Sequence, residues 1–395
     1  MNHAPQTQAA AGVFSEFDRL AMRRALELAA RGLETTDPNP RVGCVIAQGA
    51  RIVAEAWHRR AGEAHAEVLA LQVAGAQAAG ATVYVSLEPC SHHGRTPPCV
   101  EALTRARVAR VVYAATDPNP QVNGAGAAAL RSAGVAVEGG LFEAEALELN
   151  CGFVKRMQQG RPWVRLKLAM SLDGRTALAS GASRWVTGEA ARQDVQRWRA
   201  RSSAILTGIG TVLADDPQLD VRLPEASGEG PRQPLRVLLD RQLRTPPQAR
   251  LWNSGGEVLI LTQLAALGDA QRGAALSARG ARIESVPADG ERLALGAVLE
   301  RLAELEVNEL LVEAGPTLAG ELVRQGLVDE LLLYVAPKLF GDAALPLLRL
   351  PQPLQPDEAH AFTLIEARPL ADDLRLLLRP RAAAAASLAG TTGVA

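Results

Sequence analysis

Ala64-His65-Ala66-Glu67, followed further on by Pro89-Cys90-Ser91-His92-His93-Gly94-Arg95-Thr96-Pro97-Pro98-Cys99, gathers one imidazole, two thiols and a carboxylate at spacings that suit a metal-dependent reaction centre. Zinc takes neutral imidazole and thiolate in tetrahedral geometry, and a catalytic site keeps one of its four positions for water. His65, Cys90 and Cys99 would fill the other three. Water on such an ion loses a proton near neutral pH, and a carboxylate that is not itself a ligand can then carry protons. Glu67, two residues beyond His65, is placed for that task. The same stretches decide the fold class. A helix begins near His65, and the β-rich run 82–87 leads directly into Glu88-Pro89-Cys90, so both motifs fall at junctions of strand and helix. In open α/β sheets ligands bind at such junctions, and helix N-termini favour thiolate over thiol.

Other readings of these residues stand beside this one. A fully structural zinc site would want a fourth protein ligand, which His92 or His93 could supply. The cysteines could also be ordinary packed thiols. A disulfide fits less well, because four cysteines in a long chain without a recognisable secretory signal do not make a disulfide framework.

Outward from these motifs, 395 residues exceed one ordinary small domain and suggest two or three. The formal net charge of −1 gives no electrostatic pull toward nucleic acid or a membrane surface, so small specific ligands fit better. No stretch stays apolar for the span of a bilayer, and the expectation is a cytoplasmic protein. Residues 16–30 carry apolar residues at helical spacing, with Gly32 as a stop. Strands are expected at 42–47 and 51–56, then helix, the strand 82–87, helix 100–106, strands 108–114 and 135–137 with a helix between them, and a helix from 142 to about 155. Asp37-Pro38-Asn39-Pro40 and Asp117-Pro118-Asn119-Pro120 read as turns, although the Asn39 amide lies close enough to the motif to hydrogen-bond a heterocycle. Cys44 reads as packing.

The polar breaker at 158–162 precedes a new strand at 163–169 and marks the domain boundary. Beyond it come a helix at 188–200, a strand at 204–208, a short helix opening at 210–212, strands at 235–240, 257–262 and 282–286, a helix at 293–305 and a strand at 309–312. Further strands are expected at 330–337, 362–367 and 374–379, so the alternation is α/β throughout. Strand 310–312 runs into Gly315-Pro316-Thr317-Leu318-Ala319-Gly320. That turn suits a phosphate or pyrophosphate at a helix start, and it suits a plain helix cap equally.

With these residues in hand, the chain resembles the bifunctional riboflavin-biosynthesis deaminase–reductase family. Its first half matches through Asn39-Pro40-Arg41-Val42-Gly43-Cys44-Val45, Ala61-Gly62-Glu63-Ala64-His65-Ala66-Glu67 and the Pro89 to Cys99 run. The His-x-Glu and Pro-Cys elements are the general signature of zinc nucleobase deaminases, whose short form has two residues between the cysteines. Eight residues separate them here, which looks like this family and unlike the tRNA, guanine or dCMP deaminases. The second half matches through Lys167-Leu168-Ala169-Met170-Ser171-Leu172-Asp173-Gly174-Arg175, Leu213-Ala214-Asp215-Asp216-Pro217 and Glu313-Ala314-Gly315-Pro316-Thr317-Leu318.

The resemblance implies an N-terminal cytidine-deaminase-like three-layer α/β/α domain over 16–155, a linker at 156–163 and a dihydrofolate-reductase-like α/β domain over 164–381. Residues 1–15 and 382–395 are expected to be disordered tails. It also implies one zinc per chain on His65, Cys90 and Cys99, with Glu67 as proton shuttle. Activated water would attack the amino-bearing C2 carbon of a diaminopyrimidinone ribosyl phosphate. NADPH would meet Ala169, Trp185, Thr211, Asp215 and the turn Gly315, Pro316, Thr317, Leu318, Ala319, Gly320, Glu321. The sugar phosphate would meet Ser183, Arg199, Leu219, Arg222 and Glu313, because an arginine fork pairs with phosphate oxygens. Hydride would go to C1′ of the ribose. Lys167 is a weaker candidate for orienting the substrate. Where some relatives carry a serine at a cofactor contact this chain has Arg241, a candidate for the 2′-phosphate of NADPH. A nucleic-acid deaminase would want a basic groove and aromatic stacking, which the charge and a 4% aromatic content oppose. A regulatory protein that had lost its chemistry would not need Glu67. The expected partners are pyrimidine ribosyl phosphates, with neither nucleic acid nor membrane, and oligomeric state is left open.

Overall fold

The computed structural model describes residues 14–91, 97–120, 122–223, 232–353, 355 and 358–381. They form two compact units that divide between Arg161 and Pro162.

The first unit opens with α1 (Glu16–Ala30). Ser15 caps it: its hydroxyl accepts the Asp18 N–H at 3.1 Å while the Asp18 carboxylate accepts the Ser15 N–H at 2.8 Å. Phe14 packs beneath, so residues 14 and 15 belong with the first unit. Strands β1 (Gly43–Gln48) and β2 (Arg51–Trp57) form a hairpin. There follow α2 (Ala66–Ala74), β3 (Thr82–Leu87), α3 (Cys99–Arg105), β4 (Arg110–Ala115), α4 (Ala125–Ser132), β5 (Ala136–Gly139), α5 (Glu143–Leu149) and α6 (Cys151–Gln159). The sheet runs β2-β1-β3-β4-β5, with β3, β4 and β5 parallel and the other pairs antiparallel. Side chains alternate across it. Val45, Ala47, Tyr84 and Val112 meet Ala21, Met22, Ala25 and Leu28 of α1. Cys44, Ile46, Val83 and Val111 meet Ala66, Ala70, Leu103 and Leu130 of α2, α3 and α4. The result is three layers, α/β/α. A Cβ on Gly43 would lie 2.0 Å from the Ala25 carbonyl oxygen, so glycine there is what lets α1 press onto β1.

The second unit contains β6 (Trp163–Ser171), β7 (Arg175–Ala177), α7 (Glu189–Arg201), β8 (Ala204–Gly208), α8 (Ile209–Asp215), β9 (Leu235–Leu239), β10 (Val258–Thr262), α9 (Ala270–Ser277) and β11 (Ala281–Ser285). It continues through β12 (Ala288–Asp289), β13 (Arg292–Leu293), α10 (Leu295–Glu304), β14 (Glu309–Glu313), α11 (Pro316–Arg324), β15 (Glu330–Ala336), β16 (Leu345–Pro346), β17 (Phe362–Leu370) and β18 (Asp373–Pro380). Its main sheet runs β11-β10-β9-β8-β14-β6-β15-β18-β17. The first seven are parallel and the last two form an antiparallel hairpin at the edge. Leu206, Val237 and Val312 face α10 and α11, whereas Ile205, Leu238 and Leu311 face α7 and α9. A sheet buried on both faces explains the nearly continuous apolar runs of its strands.

Two boundaries differ from the sequence reading. The expected linker 156–163 is taken up by the last turn of α6 and the first residue of β6, leaving only 160–162 between them. Helix 142–155 is two helices, broken at Asn150, whose buried side-chain amide binds the Arg41 backbone. His92 and His93 fall outside the described residues, as do the expected tail 382–395 and most of the N-terminal one.

Candidate functional site

In the first unit His65 is the N-cap of α2, and Glu67 lies in that helix's first turn. Cys99 opens α3, and Cys90 ends the stretch after β3. These junctions bring the donors together: His65 Nδ1 lies 3.2 Å from Cys99 Sγ and 3.5 Å from Cys90 Sγ, and the Cys99 N–H donates to Cys90 Sγ at 3.3 Å. The three ligand atoms all lie within 4.8 Å of one another. One imidazole nitrogen and two sulfurs aimed at a common point are the donor set zinc prefers. The thiol of Cys99 and the imidazole of His65 hold the Cys90 sulfur down to about 4, and the same contact pushes Cys99 up. Glu67 is 3% exposed, and burial raises its carboxyl above the usual range. A carboxyl poised that way exchanges protons at neutral pH more readily than an exposed one.

Two supporting residues escaped the sequence reading. His58, buried at the end of β2, donates from Nδ1 to the Ala64 carbonyl at 3.1 Å and accepts at Nε2 from the Asn39 amide at 3.0 Å. Since a carbonyl only accepts, this pairing fixes the tautomer and uses one of the two N–H groups of the Asn39 amide, leaving its Oδ1 for other partners. Its ring packs edge-on against His65, with centroids 5.4 Å apart. Glu88 is buried too. Its carboxylate accepts the N–H groups of Gly124 at 2.9 Å, Ala127 at 3.0 Å and Asp117 at 3.3 Å, which ties the approach to Cys90 to the start of α4. A Cβ on Gly126 would lie 1.9 Å from the Pro89 carbonyl oxygen, so that close approach requires glycine. A glutamate directly before Pro-Cys was the available signal for Glu88. Nothing local marked His58.

In the second unit the candidate residues gather at the carboxyl ends of β6, β8 and β14. Glu313 ends β14 and grips Arg199 of α7 through two bonds, 2.6 Å to Nε and 3.0 Å to Nη2. Arg199 also donates to the Asp220 carbonyl at 2.9 Å, and Arg222 reaches the Asp220 carboxylate at 2.7 Å. Burial would raise the Glu313 carboxyl, but Arg199, aided by Lys167, overrides it and holds it at about 2. Burial in turn depresses the Lys167 ammonium. Ala169 lies further along β6, opposite Tyr334. Thr211 of α8 faces Gly315, whose added Cβ would stand 4.0 Å from its hydroxyl oxygen. Ser183 donates to Asp215 at 3.3 Å, and Trp185 is 63% exposed.

The turn does not present all the expected residues to a ligand. Gly315 and Thr317 are exposed, with Pro316 and Leu318 half-buried. Ala319 is fully buried in the core, and Gly320 lies against Arg349, where a Cβ would come 2.1 Å from the carbonyl oxygen. Packing occupies the Cα faces of both, so what they can offer a cofactor is backbone. Glu321 binds Arg292, Arg324 and Gln325. Leu219 is 2% exposed in the core, so only its backbone is available to a ligand. Arg241 follows β9, and its guanidinium has no hydrogen bond or ion pair among the described residues.

Residues 15–115 match the cytidine and deoxycytidylate deaminase zinc-binding region, and residues 162–376 match the RibD C-terminal domain. The riboflavin biosynthesis protein RibD of Escherichia coli (strain K12) is 49% identical over 369 residues, 91% of this chain and 99% of that protein. The chain belongs to the RibD family. RibD of Haemophilus influenzae is 45% identical, covering 93% of this chain and 99% of its own length. Acinetobacter baumannii RibD superposes with a TM-score of 0.86 at 45% identity, over 93% of this chain and 99% of that one. A Thermotoga maritima structure described as a diaminohydroxyphosphoribosylaminopyrimidine deaminase/5-amino-6-(5-phosphoribosylamino)uracil reductase superposes at 0.79 with 31% identity, over 92% and 99%. RibD membership makes the first unit the cytidine-deaminase-like half and the second the dihydrofolate-reductase-like half. The chain is a bifunctional deaminase and reductase of riboflavin biosynthesis, and its two halves fit zinc and NADPH. No helix among the described residues is long and apolar enough to cross a membrane.

Proposed function

We propose that the first unit deaminates diaminohydroxyphosphoribosylaminopyrimidine and that the second reduces 5-amino-6-(5-phosphoribosylamino)uracil, the two activities in the description of the Thermotoga maritima relative. The convergence of His65 Nδ1 with the two sulfurs beside a buried carboxyl carries the first part. Zinc, which His65, Cys90 and Cys99 would hold, would supply the Lewis acidity that makes water nucleophilic at neutral pH. Glu67 is placed to take a proton from the attacking water and return it to the departing ammonia. Its burial favours the protonated form between the two transfers. The Oδ1 of Asn39, held in place through His58, accepts from the pyrimidine edge.

In the second unit NADPH supplies hydride when bound. Thr211, Asp215, Gly315 and Thr317 line its site, together with the exposed indole of Trp185. Arg199 and Arg222, with Ser183, hold the sugar phosphate, and the Arg199–Glu313 grip fixes the guanidinium so that its remaining edge is aimed before substrate arrives. Lys167, buried beside that pair, orients the ribose end.

Following ammonia release and NADPH oxidation separately on the purified protein tests both parts. Glu67→Gln should lower ammonia release by about 10²- to 10⁴-fold, with zinc content near one per chain and NADPH oxidation intact when 5-amino-6-(5-phosphoribosylamino)uracil is supplied directly. Loss of zinc with the carboxylate would assign Glu67 a different role.

A further inference from the structure

Residues 178–188, between β7 and α7, form a strap that carries Ser183 and Trp185. Its ends and middle are tied to different parts of the second unit. The Gly188 N–H donates to the buried Asp373 carboxylate at 2.7 Å. Ser183 donates to the Asp215 side chain at 3.3 Å, and Arg184 donates to the Asp215 carbonyl. Arg192 donates to the Thr187 carbonyl at 2.9 Å and lays its guanidinium 4.6 Å from the Trp185 ring centroid. One more tie comes from outside this group. Lys338, two residues beyond β15, donates from Nζ to the carbonyls of both Trp185 and Val186, at 2.9 Å and 2.7 Å. Its own carbonyl accepts the Leu172 N–H at 2.8 Å, which joins the loop after β6 to the same point.

We infer that Lys338 is a positioning residue for the nicotinamide cofactor: its ammonium clamps two consecutive strap carbonyls and so sets the Trp185 indole where the cofactor stacks. The inference rests on the reading of Trp185 as a cofactor contact. Trp185 keeps 63% of its surface exposed, so burial does not hold the indole in place. The Arg192 guanidinium lies against one part of the ring, and the backbone that carries the indole is held by Lys338. Lys338 is exposed and its bond to the Trp185 carbonyl lies at the surface, so water can replace the ammonium there if it is removed. The strap would then loosen without the chain unfolding, and the cofactor would have to order it on binding. That cost falls on cofactor affinity and spares the chemical step.

The test compares Lys338→Met, Lys338→Arg and Trp185→Leu in the full-length zinc-loaded chain, reading KM for NADPH, kcat for NADPH oxidation and ammonia release. Lys338→Met should raise KM for NADPH about tenfold with kcat within about twofold. Lys338→Arg, which keeps a cation with several donors, should recover most of that loss. Ammonia release and the far-ultraviolet circular dichroism should match wild type in both, which separates a loosened strap from a misfolded unit. An unchanged KM in Lys338→Met, or equal losses in the Met and Arg variants, overturns the inference. If Trp185→Leu raises KM while Lys338→Met does not, the cofactor reading stands and only the role of Lys338 falls. If Trp185→Leu leaves KM unchanged, the cofactor reading fails and the inference falls with it.

Discussion

Arg199 and Glu313 form a buried pair in which neither charge is tolerable alone. Arg199 is 8% exposed, and Glu313 lies beside it at the end of β14. Removing one partner of such a pair leaves an uncompensated charge, at a cost of roughly 3–5 kcal/mol. Arg199→Met should therefore lose both the phosphate grip and stability, with a distinctive pH dependence. In the wild type the folded carboxyl sits near 2, below its ordinary 4.5. A depressed carboxylate contributes stability that is present above 4.5 and is lost as pH falls through about 2. In the variant the Arg199 contribution is gone, so the carboxyl rises from its depressed position and acid costs this site less. The stability gap between the two proteins should narrow between neutral pH and about pH 3. Denaturant midpoints at both pH values measure it, and a gap that widened toward acid would contradict the pairing. The sequence resemblance pointed to both residues, but their grip on one another came only from the fold. At Leu219, Ala319 and Gly320 the fold leaves only the backbone to meet a ligand, because a motif position records which residue recurs and not which way it faces.

Between strand and helix, the metal-ligating stretch depends on an element that contributes no ligand. Glu88 accepts two backbone N–H groups at the start of α4, where the helix dipole also favours a carboxylate, and a third from Asp117 in the loop after β4. Gly126 lets α4 come up against Pro89, one residue before Cys90. Outer partners of this kind tune metal affinity by about 10- to 100-fold. Glu88→Gln keeps the size but loses one acceptor and the charge. It should lower the melting transition of the first unit by an amount equivalent to about 1–2 kcal/mol and weaken zinc retention in a chelator competition. Wild-type zinc affinity in that variant would show that Cys90 is set by other contacts. At this scale the sequence was most readable where period and punctuation agreed. Residues 16–30, 82–87 and 204–208 are α1, β3 and β8 as expected, since each is apolar at one clear period and bounded by a cap, turn or glycine. Helix α9 was missed, with Gly273 in its interior and Leu276 its only buried residue. The break at Asn150 was missed as well, because its cause is a hydrogen bond to Arg41, more than one hundred residues away in sequence.

At the scale of the chain, each unit has its own sheet and its own buried core, with the donor set in the first and the Arg199–Glu313 pair in the second. A ligand that binds only the folded form of one unit stabilises that unit in proportion to the logarithm of its saturation. Zinc removal should therefore act on one half. After treatment with a strong chelator, ammonia release should vanish. NADPH oxidation, assayed with 5-amino-6-(5-phosphoribosylamino)uracil added directly, should stay within about twofold of the untreated rate. Calorimetry should show the matching asymmetry, with one transition moving down and the other fixed, and zinc should restore both the ammonia rate and the displaced transition. The supplied uracil matters to this design. Starting from the diamino compound, loss of the first step would starve the second, and the two rates would fall together for a trivial reason. With the second substrate supplied, a parallel fall would mean that metal binding reaches the reductase half through the protein itself, and the separation of the two activities onto independent cores would have to be abandoned.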